Sequence, residues 1–254
     1  MSPSTRHAHV DALRGAAMLW MTAYHFAFDL NYFGHIHQNF YEDPLWTWQR
    51  TGIVSLFLLC AGMGQALAVQ QGQSGARFWR RWAQIVGCAV LVSLGSWWMF
   101  PMSWISFGVL HGMAAMLLFT RWLLLRGVLR GASPWAGGLL LIAAAPLGSA
   151  WLRTQAPPAL AAAFDSRWLN WIGLVTQKPP TEDWVPLLPW LGVMWLGAGL
   201  MQLPAWRAWL ARPPRRLARA LAPLGRWSLS YYMLHQPVLI GLLTAHRMLA
   251  SQAA

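Results

Sequence analysis

The chain has 254 residues, of which 57% are hydrophobic and only 10% charged, with 19 tryptophans and a mean hydropathy of +0.38. That is too apolar for an ordinary soluble domain and marks an integral membrane protein. The formal net charge of +12 does not imply a nucleic-acid partner, because the arginines fall in short clusters between apolar runs rather than on one solvated face among polar readers.

A bilayer core of about 30 Å is crossed by roughly 20 mostly apolar helical residues. In chain order, the stretches from Ala12 to Phe33, Gly52 to Val69, Trp82 to Phe100, Trp104 to Leu124, Trp135 to Leu152, Val185 to Leu203 and Trp227 to His246 meet that requirement. The expected fold class is all-α, a polytopic integral membrane bundle of about seven transmembrane helices. No internal repeat is visible, so residues 1–254 read as a single domain. The leading MSPSTRHAHVDALRG lacks a short apolar core followed by a small-residue cleavage site, and the first span is expected to be retained. Cys60 and Cys88 both sit in apolar runs, where a thiol behaves as a small hydrophobe.

Cytoplasmic segments hold back Lys and Arg during insertion. With the amino terminus inside, fourteen of the 19 basic residues, beginning with Arg6 and Arg14, fall on the cytoplasmic side, while Arg50, Arg153, Arg167, Lys178 and Arg247 fall outside. The expected topology is therefore N-in and C-out. The run RPPRRLARALAPLGR, inside in this scheme, reads as a charged loop in preference to an amphipathic surface helix.

The first span begins RGAAMLWMTAYHFAFDL and carries ionisable residues where lipid would exclude them. On a helix wheel Asp11, Arg14, His25 and Asp29 fall within about 60° of one another. Arg14 and His25 lie about 16 Å apart along the axis, so one is near the cytoplasmic face and the other deep in the bilayer. A stripe of this kind faces a bundle interior or a wet cavity, since facing lipid costs several kcal/mol. His25 and Asp29 are i,i+4 neighbours. They read either as an interhelical polar clamp or as a general base whose tautomer the carboxylate fixes.

Further along, SFGVLHGMAAML places His111 between Gly108 and Gly112, and VPLLPWLGVMWLGAG opens the sixth span with Pro186, Pro189 and Trp190. Pro189 sits deep enough to loosen that helix. The last span, GRWSLSYYMLHQPVLIG, presents Ser228, Tyr231, Tyr232, His235 and Gln236. So many hydrogen-bonding groups imply that His111, Pro189, Trp190, Ser228, Tyr232, His235 and Gln236 line a cavity or a helix contact. His35 and His37 follow the first span, but without further ligands at fixed spacing they carry no metal site, and none is expected.

The segments VDALRGAAMLWMTAYHFAFDL, FGVLHG, VPLLPWLG and LGRWSLSYYMLHQPV together resemble the bacterial members of the heparan-alpha-glucosaminide N-acetyltransferase catalytic-domain family, within the wider superfamily of transmembrane acyltransferases. The resemblance runs over nearly the whole chain, and the first and last motifs are the specific ones. It implies a helical membrane bundle in a bacterial cytoplasmic membrane that moves an acetyl group from cytoplasmic acetyl-CoA to a sugar or glycan acceptor on the opposite side. Many relatives in the superfamily carry an arginine and a histidine separated by ten residues, as Arg14 and His25 are. By that carry-over Arg14, with Asp11 beside it, helps to hold the donor, and His25 works at the transfer point. A longer lysosomal relative has its proposed histidine just after the first span, which corresponds more closely to His35 of YFGH. His25, Asp29 and His35 are thus the catalytic candidates.

A reading from another class is a proton-coupled transporter or exporter in which Asp29, His25, His111 and His235 relay protons. No repeated half with matching interrupted helices accompanies it.

Overall fold

The computed structural model describes residues 7–252; Arg6 and the other residues of the leader up to it lie outside the described residues. Every regular element among the described residues is helical. In chain order these are α1 (Ala8–Tyr32), α2 (Pro44–Gln70), α3 (Gly75–Met99), α4 (Val109–Leu125), α5 (Ser133–Thr154), α6 (Pro158–Asp165), α7 (Trp190–Leu200), α8 (Pro204–Ala211), α9 (Arg216–Arg226) and α10 (Ser228–Gln252), with a 3-10 turn at Asn170–Ile172. By length and composition α2, α3 and α5 can each cross a membrane, and α4 and α7 are shorter apolar helices. The helices group into two compact units, one made of residues up to Phe57 and from Leu210 onward, the other of Leu58–Trp209.

In the first unit α1 packs along α9 and α10. Two glycines make the α1–α9 crossing possible. A Cβ at Gly15 would overlap the carbonyl oxygen of Leu221, and one at Gly225 would overlap that of Asp11, so the two backbones touch directly, as small residues permit. The run read above as a charged loop is in fact helix α9. Its small residues Ala218, Ala222 and Gly225 recur every three or four positions, and Ala222 and Gly225 are buried while Arg216, Arg219 and Arg226 stay exposed. Tertiary burial of that narrow face selects the helix, which the arginine-rich composition had concealed.

An aromatic and thioether core fills the other end of this unit. Met18, Met21, Tyr24, Phe40 and Ile53 are buried together, with Phe28, Trp46, Tyr231 and Tyr232 packed against them. Phe40 stacks on Trp46 with ring centroids 4.1 Å apart. The turn carrying Phe40 is fixed by Asn39, whose side-chain oxygen accepts from the backbone N–H groups of Tyr41 and Glu42.

In the second unit α7 is the thin central element. Gly192 meets the carbonyl of Gly138 on α5, Gly197 meets that of Leu59 on α2, and Gly62 of α2 meets that of Met194. At 11 residues α7 is about 16 Å long, shorter than the expected span from Val185 to Leu203. The cause is the pair Pro186 and Pro189, which lack N–H groups and push the residues before them toward extended backbone. Val185, Leu187 and Leu188 bond outward instead, their N–H groups donating to the carbonyls of Phe107, Trp171 and Ile172 at 3.3, 2.8 and 2.8 Å.

The same segment caps α4. Asp183 Oδ2 accepts from the Val109 N–H at 2.7 Å, and Ser103 Oγ donates to Glu182 at 2.7 Å. A carboxylate on the orphan donors at a helix start also meets the positive end of the helix dipole. Asp183→Ala is therefore expected to destabilise the protein by about 1–2 kcal/mol, read as a lower unfolding midpoint of the detergent-solubilised chain. An unchanged midpoint would show that water replaces the cap at no cost.

Candidate functional site

The polar stripe of α1 faces its own unit's helices. At its first turns Arg14 donates to Asp11 at 3.1 Å and to the carbonyl of Gly225 at 3.5 Å. Arg226 Nε lies 3.6 Å from the other oxygen of Asp11. Asp11 is 4% exposed, so two guanidinium groups balance one buried carboxylate and hold α1 to α9. Only one nitrogen of Arg14 is engaged, and the rest of its donor fork stays available for a planar or tetrahedral anion.

Farther along α1, His25 meets His235 of α10. His25 Nδ1 is 2.7 Å from His235 Nε2, and the rings stack at 5.0 Å with 15° between planes. His235 Nδ1 is 2.7 Å from the carbonyl oxygen of Tyr232. A carbonyl only accepts, so in the uncharged pair His235 carries its proton on Nδ1 and its Nε2 is an acceptor. His25 Nδ1 must then be the donor, which leaves the lone pair of the couple on His25 Nε2. The partner that fixes the His25 tautomer is thus His235, where the sequence suggested Asp29. The i,i+4 spacing put Asp29 on the right face, but a helix of closer reach, α10, intervenes with both His235 and Gln236.

Asp29, 3% exposed, accepts from Gln236 Nε2 at 2.7 Å through Oδ1. Its Oδ2 and Gln236 Oε1 are buried with no hydrogen-bond partner. Two further residues support the pair. Tyr231 stacks parallel to His235 at 6.0 Å, and its hydroxyl lies 2.6 Å from Thr22 Oγ1. Thr22 gives its own proton to the carbonyl of Met18 at 2.9 Å, so Tyr231 is the donor between them. Thr22 was missed from sequence, where a threonine one turn before His25 looks like an ordinary helix residue.

The other candidates fall elsewhere. His35 is exposed in the turn after α1, its ring 6.2 Å from that of His246, and it makes no hydrogen bond to His25. Ser228 opens α10, and Tyr232 packs on the aromatic core. Pro189 and Trp190 start α7 in the second unit. His111, also in that unit, is held on both nitrogens: Nδ1 accepts from the Gly108 N–H at 3.3 Å, and Nε2 lies 3.1 Å from Ser93 Oγ. Ser93 passes its proton to the Ile105 carbonyl at 2.6 Å. Among the described residues no group of three or more His, Cys, Asp or Glu is placed to hold a metal.

The described residues are all-helical, with His235 buried and His25 half-buried between α1 and α10 and an arginine–aspartate cluster at the foot of α1, and ionisable residues set into apolar helices in this way commonly mark functional sites. Residues 6–237 match the family model described as heparan-alpha-glucosaminide N-acetyltransferase, catalytic. The chain belongs to that family, which places it among membrane acetyltransferases. No curated protein and no solved structure matches it.

Proposed function

We propose that the protein transfers an acetyl group from cytoplasmic acetyl-CoA to an amino or hydroxyl group of a sugar in an envelope glycan, across a bacterial cytoplasmic membrane that it spans about seven times, N-in and C-out. The observation that carries this reading is the 2.7 Å bond between His25 and His235, which leaves His25 Nε2 as a fixed base. In the reaction the acceptor nitrogen or oxygen attacks the thioester carbonyl while His25 Nε2 takes its proton. Collapse of the tetrahedral intermediate breaks the carbon–sulfur bond, and the proton on His25 passes to the departing thiolate. His235 is a positioning residue: it orients the ring and shares the charge through the Nδ1–Nε2 bond. Asp29 and Gln236, with one unbonded oxygen each, receive donor groups of the acceptor. Arg14, oriented by Asp11, binds a phosphate of the donor.

The test is label transfer from radiolabelled acetyl-CoA into sugar acceptors by membranes containing the protein, against empty membranes. Label in the glycan fraction supports the reading. No transfer over a range of acyl donors and native envelope acceptors would favour the proton-coupled transporter, with His25, His235 and Asp29 as the relay.

A further inference from the structure

Arg121 is the one Lys or Arg among the described residues that is buried, at 6% exposure, and no carboxylate pairs with it. It lies near the end of α4, where Nη1 donates to Gln73 Oε1 and Nη2 to the Gln73 carbonyl, both at 3.0 Å. The guanidinium rests 4.4 Å over the ring of Phe78. These contacts satisfy two of its five N–H groups and none of its charge. A buried cation without an anion costs several kcal/mol, which neutral acceptors and one aromatic face offset only in part.

The chain has seven acidic residues, and each is engaged elsewhere. In the same unit Asp165 is bonded by Thr176, Glu182 by Ser103 and Asp183 by Val109. Val109 is at the opposite end of α4, about 18 Å from Arg121 at 1.5 Å per residue. In the first unit Asp11 is held by Arg14 and Arg226, Asp29 by Gln236, Glu42 by Asn39 and Asp43 by the Leu45 N–H. None of the seven acidic side chains is thus the counter-ion of Arg121.

A cavity of about 40 Å³ is lined by Gln65, Gln73, Phe78, Arg81 and Trp82 among others, and two of these, Gln73 and Phe78, are the residues that touch Arg121. That is room for about three water-sized groups, the number of terminal oxygens on a phosphomonoester. Gln65 Oε1 is buried there without a partner. Amide oxygen and nitrogen exchange by a half-turn, and the turned amide presents an N–H donor to the cavity. We infer that this pocket at the junction of α2, α3 and α4 is a phosphate-binding site, with Gln65 and Arg81 as lining donors and the charge of Arg121 next to it through the shared neighbours Gln73 and Phe78. In the orientation given by the arginine distribution it opens at the cytoplasmic face, where a phosphate is carried either by an anionic lipid headgroup or by a nucleotide.

The inference does not depend on acetyl transfer, and its test reads binding alone, in wild-type and His25→Ala backgrounds. The unfolding midpoint of purified protein is followed against inorganic phosphate and 3′,5′-adenosine bisphosphate at constant ionic strength. It is followed also in phosphatidylcholine nanodiscs with and without phosphatidylglycerol. Wild type is expected to gain stability with at least one probe, and Arg121→Gln to need at least tenfold more of that probe for the same shift. A response confined to phosphatidylglycerol identifies a lipid site; a response to the bisphosphate identifies a nucleotide site. Should Arg121→Gln not fold, Gln65→Ala keeps the cation and is expected to weaken the response at least threefold. Equal responses of wild type and the variants to every probe would overturn the site.

Discussion

Replacing His25 by alanine is expected to lower acetyl transfer by roughly 10²–10⁴-fold, the share that a positioned general base supplies, with the protein still folded. The folded state should survive because His25 is only half-buried and its loss removes one hydrogen bond, at 2.7 Å to His235, while the Asp11 cluster and the aromatic core are untouched. His235→Ala should act through kcat by a smaller factor, roughly tenfold or more, since the base remains but its tautomer is no longer fixed. His235→Gln places an amide oxygen where Nε2 had been and is expected to recover part of the rate. A purely structural role for His235 would move stability and leave the pH profile of kcat in place, whereas a positioning role shifts that profile. Transfer that survives in His25→Ala and is lost in His35→Ala would move the proton acceptor to the turn after α1.

The second large effect is expected at the α1–α9 crossing. Gly225→Val puts two methyl groups where the Asp11 carbonyl already blocks a Cβ. Neither helix relieves that overlap by changing a rotamer, because the obstacle is backbone. Overpacked side-chain sites cost about 1–3 kcal/mol, and a backbone obstacle puts this substitution at or above the upper figure, a large share of a total stability of about 5–15 kcal/mol. The separation of α9 from α1 would also part Arg226 from Asp11. The measurement is the unfolding midpoint and the monodisperse yield in detergent. Gly241→Ala on α10 is the matched control: a Cβ there meets nothing within 4 Å, so the exchange should raise stability by up to about 1 kcal/mol through helix propensity. Comparable losses in the two variants would show that the crossing is looser than its geometry.

Of the seven expected spans, those at α2, α3 and α5 are long and apolar enough to cross a membrane, and they were legible because length and hydropathy alone specify a helix in a medium without water. The polar stripe of α1 was legible for the same reason, as four ionisable groups on one face cannot all meet lipid. The identity of each partner was not. Asp29 is four residues from His25, but Gln236 is 207 residues from Asp29, and only tertiary contact brings it there. Helix α9 was misread because its burying face is made of alanine and glycine, which add almost no hydropathy while allowing the closest approach of backbones. Val185–Pro189 carried its own warning in two prolines, although the partners of the freed N–H groups became visible only with the fold. Arg121 was counted as a topology marker, and nothing in the sequence separates it from the exposed arginines around it.

The first unit is assembled from the two ends of the chain, and that fixes the order of events during synthesis. His25 and His235 are 210 residues apart, so at about 5–20 residues per second the ribosome needs roughly 10–40 s to deliver the second after the first. For that interval α1 has left the ribosome with Asp11, Arg14, His25 and Asp29 still lacking α9 and α10. Through that interval the ionisable face of α1 has neither of its packing partners, and any part of it that meets lipid costs several kcal/mol. Truncation ahead of α9 would leave that face without partners for good.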